Sequence, residues 1–227
     1  MGALAVHLKA TYLQMRIYIG FILILTLLGR LAQFIVSLFV DSSPGTILSA
    51  GNMLVLILLL IAVVLPLSYY KRIVHTGASR EQYFRGLQFV FVVWAVVIAL
   101  INSIWTEVEV NVLRDHEGTV GLIEAFHWAD FGLAGSFLYQ TVFYLMAMAL
   151  LSMLISGYYR FAGWLLWALL LAAIPVGTAI PSLRVHVVSF FDALLFNGSL
   201  WAGVGFNLIL FIVFAAGGWL FTKGRTH

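Results

Sequence analysis

Glu124, His127 and Asp130 are the nearest approach in this sequence to a metal-binding or acid–base constellation. On a helix each lies three residues from the next, so all three fall near one face. Glu-x-x-His pairs build di-iron sites in helical bundles, but those sites take two pairs and further carboxylates. This chain has one such pair, and Asp115, His116 and Glu117 would have to complete the set. A solvated acidic helix packed against lipid headgroups accounts for the same residues with fewer demands, so no metal site is expected. Cys is absent, which removes thiolate chemistry, Cys-based zinc sites and disulfides. No G-x-x-x-x-G-K-[ST] phosphate loop occurs, and the pair Gly157 and Gly163 has neither the spacing nor the Lys. The chain is therefore expected to hold no cofactor and to bind no ATP of its own.

Arg30 is the most unusual ionisable residue by position. It follows Ile17 by roughly 20 Å of helix at 1.5 Å per residue, inside a long apolar run. An Arg near mid-membrane costs on the order of 2.5–3.5 kcal/mol on insertion scales. It should face a protein interior, a water-filled path, or an acid such as Glu107 or Glu109. As a functional residue it would form a gate ion pair, with Glu107 as its counterpart on the translocation path, or meet an anionic substrate. As a structural one it would snorkel outward along a tilted helix.

The elements that must position these groups follow from composition. Of the 227 residues, 63% are apolar and only 9% are charged, with a mean hydropathy of +1.06. Ordinary soluble domains are about 25% charged, so lipid must solvate most of this chain. About 20 apolar residues cross the hydrocarbon core as a helix. Six windows meet that length: residues 17–40, 47–69, 87–105, 131–156, 161–180 and 200–221. Strands of a closed barrel would alternate in polarity, and these runs do not. The expected fold is all-α: a single transmembrane domain of six helices over residues 1–227.

Charge gives the orientation. Lys9, Arg16, Lys71, Arg72, Arg80, Arg85, Arg160, Lys223 and Arg225 fall on one side, beside the single acid Glu81. Asp41, Glu107, Glu109, Asp115, Glu117, Glu124, Asp130 and Asp192 fall on the other, with only Arg114 and Arg184 basic. By the positive-inside rule both termini are cytoplasmic. Residues 3–16, with Leu4, Leu8, Tyr12 and Met15 on one helical face, read as a short amphipathic helix lying on the membrane.

Between the second and third windows lies a basic stretch longer than a hairpin needs, residues 70–86. Gly77 can end a helix in the left-handed conformation. Ser79 followed by Gln82 is a capping box that starts another, about two turns long and bounded by Gly86. Arg80 and Phe84 share a face, with Tyr83 beside them. Arginines and aromatics dominate binding hot spots, so the segment suits docking to a soluble partner. It also suits a plain membrane-surface turn.

The run from Gly77 through Ser79, Arg80, Tyr83, Phe84 and Arg85 to Gly86 resembles the G-x-S/T-R-x-x-Y/F-F/W-x-G pattern of permease subunits in bacterial ATP-binding-cassette transporters of the type-2 exporter class. In that family the pattern likewise lies between the second and third of six membrane helices. The run from Ala99 to Ile104, with Asn102 and Ser103, also looks like those permeases. The motif covers about ten residues, while the topology covers the whole chain. The resemblance implies that residues 79–85 form a coupling helix on a cytoplasmic ATPase subunit and that residues 3–16 form an elbow helix. It implies ATP and Mg on that partner, and a second permease copy or a related chain completing the translocation path. The setting would be a bacterial plasma membrane, with export of a peptide, antibiotic or lipid-like molecule and no nucleic-acid partner. The short stretch 181–199 departs from the larger family members, whose re-entrant hairpin there would be compressed or missing. The competing readings are a membrane enzyme built on Glu124, His127 and Asp130, and a non-transporting membrane sensor or assembly partner. Pro175 predicts a kink in the fifth window, and Pro66 a redirection of the second toward the basic loop. Gly132, Gly135, Gly203, Gly205, Gly217 and Gly218 mark expected helix contacts.

Overall fold

A computed structural model describes residues 50–75, 77–109 and 119–225, together with positions 20, 47, 48 and 111. The first window, with Arg30, and the proposed surface helix at 3–16 lie outside the described residues. The described chain is helices joined by short turns, with one two-residue parallel pairing, β1 (Ile47–Leu48) with β2 (Thr119–Val120). Five of its helices are long and apolar enough to cross a membrane.

Helix α1 (Ala50–Val64) runs through a π turn (Leu65–Tyr69) into α2 (Tyr70–His75), one span in all. Pro66 sits in the π turn, so the expected redirection is a widening of the helix by one residue per turn rather than a break. Gly77, at φ +92°, then closes α2. Its N–H donates to the Val74 carbonyl (3.0 Å) and that of Ala78 to the Ile73 carbonyl (3.4 Å), a complete Schellman motif. Helix α3 (Arg80–Val108) starts at the predicted capping box: Ser79 Oγ accepts from the Gln82 N–H at 3.1 Å, and Gln82 Oε1 accepts from the Ser79 N–H at 2.9 Å.

The expected separate coupling helix is not present. Residues 80–86 are the first two turns of the 29-residue α3, which passes through Gly86 without a break. A helical Gly costs only about 1 kcal/mol relative to Ala. Tyr83, Leu87, Val90, Phe91, Ala95 and Ile98 hold one continuous buried face across it. That face meets Ile57, Leu58, Ile61 and Leu65 from α1 and the π turn, and Tyr144, Leu145 and Met148 from α5 (Gly132–Gly157), forming the main core.

Helix α4 (Leu122–Ala125) and a 3-10 turn (Trp128–Phe131) lead into α5. In its apolar stretch α5 is 67% buried, so it is the centre of the bundle. Helix α6 (Phe161–Ala179) is 11% buried and lies at the edge, with Pro175 inside it and no interruption of the helix. Residues 181–199, read as a short loop, instead hold α7 (Pro181–Leu195), which folds against α6. At 15 residues it rises about 22 Å, short of the ~30 Å hydrocarbon core. Pro181 opens it, and Leu183, Val187, Phe190 and Leu194 recur at helical spacing, a signal the turn-like ends of this stretch conceal.

The last helix, α8 (Leu200–Lys223), packs most extensively on α5. Small residues permit that approach: a Cβ on Gly203 would lie 2.4 Å from the Tyr139 ring, and one on Gly217 2.5 Å from Met153 Sδ. Gly135 likewise meets Leu200, whereas Gly132 and Gly205 face open space. At the turn from α5 to α6, a Cβ on Gly163 would fall 2.0 Å from the Gly157 carbonyl oxygen, a backbone atom with no rotamer to yield. Gly163→Ala should therefore pry α5 from α6 and cost about 1–3 kcal/mol. Thermal unfolding in detergent checks this, with Gly205→Ala as the control expected to unfold like the parent.

Candidate functional site

The contacts gather the basic residues at one end of the bundle. Arg80 Nη1 donates to the Lys223 carbonyl (2.6 Å), and Arg160 donates to the Gly224 carbonyl, so two guanidinium groups cap the C-terminus of α8. Cations there offset both the unpaired carbonyls and the negative end of the helix dipole. Arg225 is buried, with 6% of its surface exposed. Its Nη1 donates to the Pro66 carbonyl (2.8 Å), while its guanidinium carbon lies 4.4 Å from the Tyr70 ring centre and 4.3 Å from that of Tyr159. A weakly hydrated planar cation between two aromatic faces tolerates burial better than an ammonium would. Tyr83 reaches the same π turn, its hydroxyl donating to the Leu65 carbonyl at 3.2 Å and its ring meeting Tyr70 edge-on at 5.0 Å.

The residues read as a partner-docking segment thus divide in two. Arg80, Tyr83, Phe84 and Gly86 turn into the protein: Phe84 lies 5.4 Å from the Trp219 ring, and Tyr83 and Gly86 are buried. Gly77, Ser79 and Arg85 are exposed, together with Glu81 and Gln82. Arg85 pairs with Glu81 one turn earlier in the same exposed strip. The outward surface of the segment is therefore polar, with its aromatics already used inside.

At the opposite end, Glu124, His127 and Asp130 do not share a helical face. Helix α4 stops at Ala125, and His127 takes a left-handed conformation (φ 59°) before the 3-10 turn that holds Asp130. Trp128 causes this break: its ring stacks on Tyr139 at 4.9 Å, and its Nε1 donates to the Leu195 carbonyl at 2.8 Å. Among the described residues no three His, Asp or Glu side chains gather as metal ligands. Glu107 is exposed and accepts from Asn111 Nδ2 (3.1 Å), while Glu109 is buried and accepts from Trp105 Nε1 (2.6 Å). Arg30, the expected counterpart of Glu107, is outside the described residues.

A polar cluster that sequence reading did not assemble sits between α3 and α5. Asn102 Nδ2 donates to Gln140 Oε1 (2.8 Å) and lies 3.2 Å from the Tyr144 hydroxyl, which donates to the same Gln140 oxygen (3.1 Å). Gln140 Nε2 donates to Ser103 Oγ at 3.2 Å. Asn102 and Ser103 stood out only within the permease-like run, and Gln140 and Tyr144 carry no local signal inside an apolar helix. Arg225 was legible only as a positive charge, because no spacing links positions 66, 70, 159 and 225.

Compared with known proteins, the chain matches no family profile, no curated sequence and no solved structure.

Arg225→Met should lose the charged hydrogen bond and both ring contacts, at about 2 kcal/mol. Gln140→Leu should cost about 1 kcal/mol by orphaning Asn102, and Asn102→Leu with Gln140→Leu should cost less than the sum of the two single changes. Denaturation midpoints of the variants in one detergent check both, and additivity in the second series would dissolve the cluster as a unit.

Proposed function

We propose that this chain is the permease subunit of an ATP-driven exporter, half of a translocation path powered by separate ATPase subunits that hold the ATP and Mg. In this reading the chain has six membrane helices with both termini in the cytoplasm, and a second permease copy or related chain completes the path. Residues 79–85 are the contact with the ATPase, supplied by the first two turns of α3 rather than by a separate helix.

The observation that carries the reading is the division of that segment. Its exposed strip (Ser79, Glu81, Gln82 and Arg85) is free to meet a soluble partner, while Arg80, Tyr83 and Phe84 grip α8 and the π turn. A load on the strip reaches two elements beyond α3 itself. The strip also sits at the basic end, which the positive-inside rule assigns to the cytoplasm. The permease-like motif and the absence of a phosphate loop fit the same division of labour.

Purification in mild detergent from the native host should bring down an ATPase, and Arg85→Glu should lose it while the permease keeps its unfolding temperature. Arg85 is the residue to change because it is exposed and, among the described residues, bonds to Glu81 within its own strip; altering Tyr83 would confound docking with folding. Recovery of the same ATPase with Arg85→Glu, or of none with the parent, would overturn the proposal.

A further inference from the structure

A partly open cavity of about 810 Å³ is lined by α5, α6, α7 and α8. Its volume falls within the ~300–1,000 Å³ of ligand-sized sites. Its walls are almost wholly aliphatic and aromatic: Leu150 from α5, Ala172 and Ala173 from α6, Val187 and Phe191 from α7, and Phe214 from α8 contribute to them. The one ionisable group among the described lining residues is His186.

Chemistry narrows the occupant. A cavity this apolar offers water few partners and suits an apolar occupant. Helices α6 and α7, which line it, are largely exposed, with Leu171 at 68% and Val185 at 64%. That surface belongs in hydrocarbon, where lipid tails are the abundant apolar solute. Along α7 the cavity lining runs from Leu183 to Leu194, about 16 Å of helix. At one end, where α6 gives way to α7, Arg184 is steadied by donating its Nε to the Thr178 carbonyl (3.0 Å) and is otherwise exposed. A fixed cation beside an apolar trough is complementary to a chain with an anionic head.

We propose that this cavity is a binding site for a membrane phospholipid of anionic head, with an acyl tail between α6 and α7 and the head beside Arg184. The site does not depend on the exporter reading, because it is tested on the chain alone without any ATPase.

The test reconstitutes the purified chain in phosphatidylcholine vesicles carrying a trace of phosphatidylglycerol or phosphatidylcholine with a photoactivatable diazirine in its acyl chain. After illumination, mass spectrometry maps the adducts. Adducts should concentrate on the cavity walls over those on Ile209 and Val213, which are exposed on α8 outside the cavity. Phosphatidylglycerol should label more than phosphatidylcholine. Ala173→Phe and, independently, Ala172→Phe fill the space and should cut wall adducts about tenfold, while Val185→Phe, outside the cavity, should leave them unchanged. Arg184→Gln should erase the headgroup preference and keep the tail labelling. Equal labelling of the walls and of Ile209 and Val213, or undiminished wall adducts in both filled variants, overturns the tail site. A headgroup preference that is absent, or that survives Arg184→Gln, overturns the choice of an anionic lipid.

Discussion

A backbone carbonyl that leaves the helical ladder inside hydrocarbon finds no water to donate to it, and each such group left alone costs several kcal/mol. Among the described residues, carbonyls at the π turn and at the ends of two helices accept from side chains of other elements. In the π turn, the Leu65 and Pro66 carbonyls accept from Tyr83 and Arg225. At the end of α7, the Leu194 carbonyl accepts from Tyr139 (3.0 Å) and Asn207 (3.1 Å), and that of Leu195 from Trp128. At the end of α8, the Lys223 and Gly224 carbonyls accept from Arg80 and Arg160. Helices in lipid gain nothing from burying apolar surface against one another rather than against tails. Directional joints of this kind, together with the close approaches at Gly163, Gly203 and Gly217, therefore carry much of what decides which helix sits beside which.

The joints are unevenly placed, and the bundle is correspondingly uneven. Helices α1, α3 and α5 share the packed core and are tied at the basic end by Arg225 and Tyr83. Helix α7 is pinned at its C-terminal end by Trp128, Tyr139 and Asn207, but its first two turns rest on the Arg184 contact with Thr178 and on Val187 against Gly177. A wall held firmly at one end and lightly at the other is where a lateral cavity can persist. The small residues Ala172, Ala173 and Gly177 leave room that a larger side chain would close.

What the sequence made legible was whatever is coded locally. The capping box at Ser79 and Gln82, the left-handed stop at Gly77 and the fourth to sixth apolar windows all appear at or within a few residues of where spacing places them, while the second and third helices extend six or seven residues beyond theirs into the basic stretch. The misses are places where tertiary contacts override local signals. Gly86 looked like a boundary, yet the buried stripe from Tyr83 to Ile98 carries the helix through it. The stretch 181–199 looked like a loop because Pro181 and Asn197-Gly198-Ser199 punctuate its ends, while the apolar period between them is that of a helix. His127 was placed on a helical face with Glu124, but the partners of Trp128 lie on α5 and α7, and seating that ring turns the chain. No local rule could place Arg225 between Tyr70 and Tyr159, because those rings are brought together only by the fold.

The continuity of α3 changes how a displacement at its exposed start travels. A separate two-turn helix ending at Gly86 would hinge there and absorb motion. A single helix of 29 residues, about 43 Å long, has no such hinge and would act as a lever. Its near end is bonded to the π turn through Tyr83 and to α8 through Arg80, so a tilt must carry both along or break those bonds. The far part of the same lever holds Asn102, whose amide is locked to Gln140 and Tyr144 on α5. Where the lever begins, the π turn is wider than the α-helix on either side of it. Arg225 on the Pro66 carbonyl and Tyr83 on the Leu65 carbonyl both hold it in the wider form, one from the C-terminal end of the chain and one from the lever.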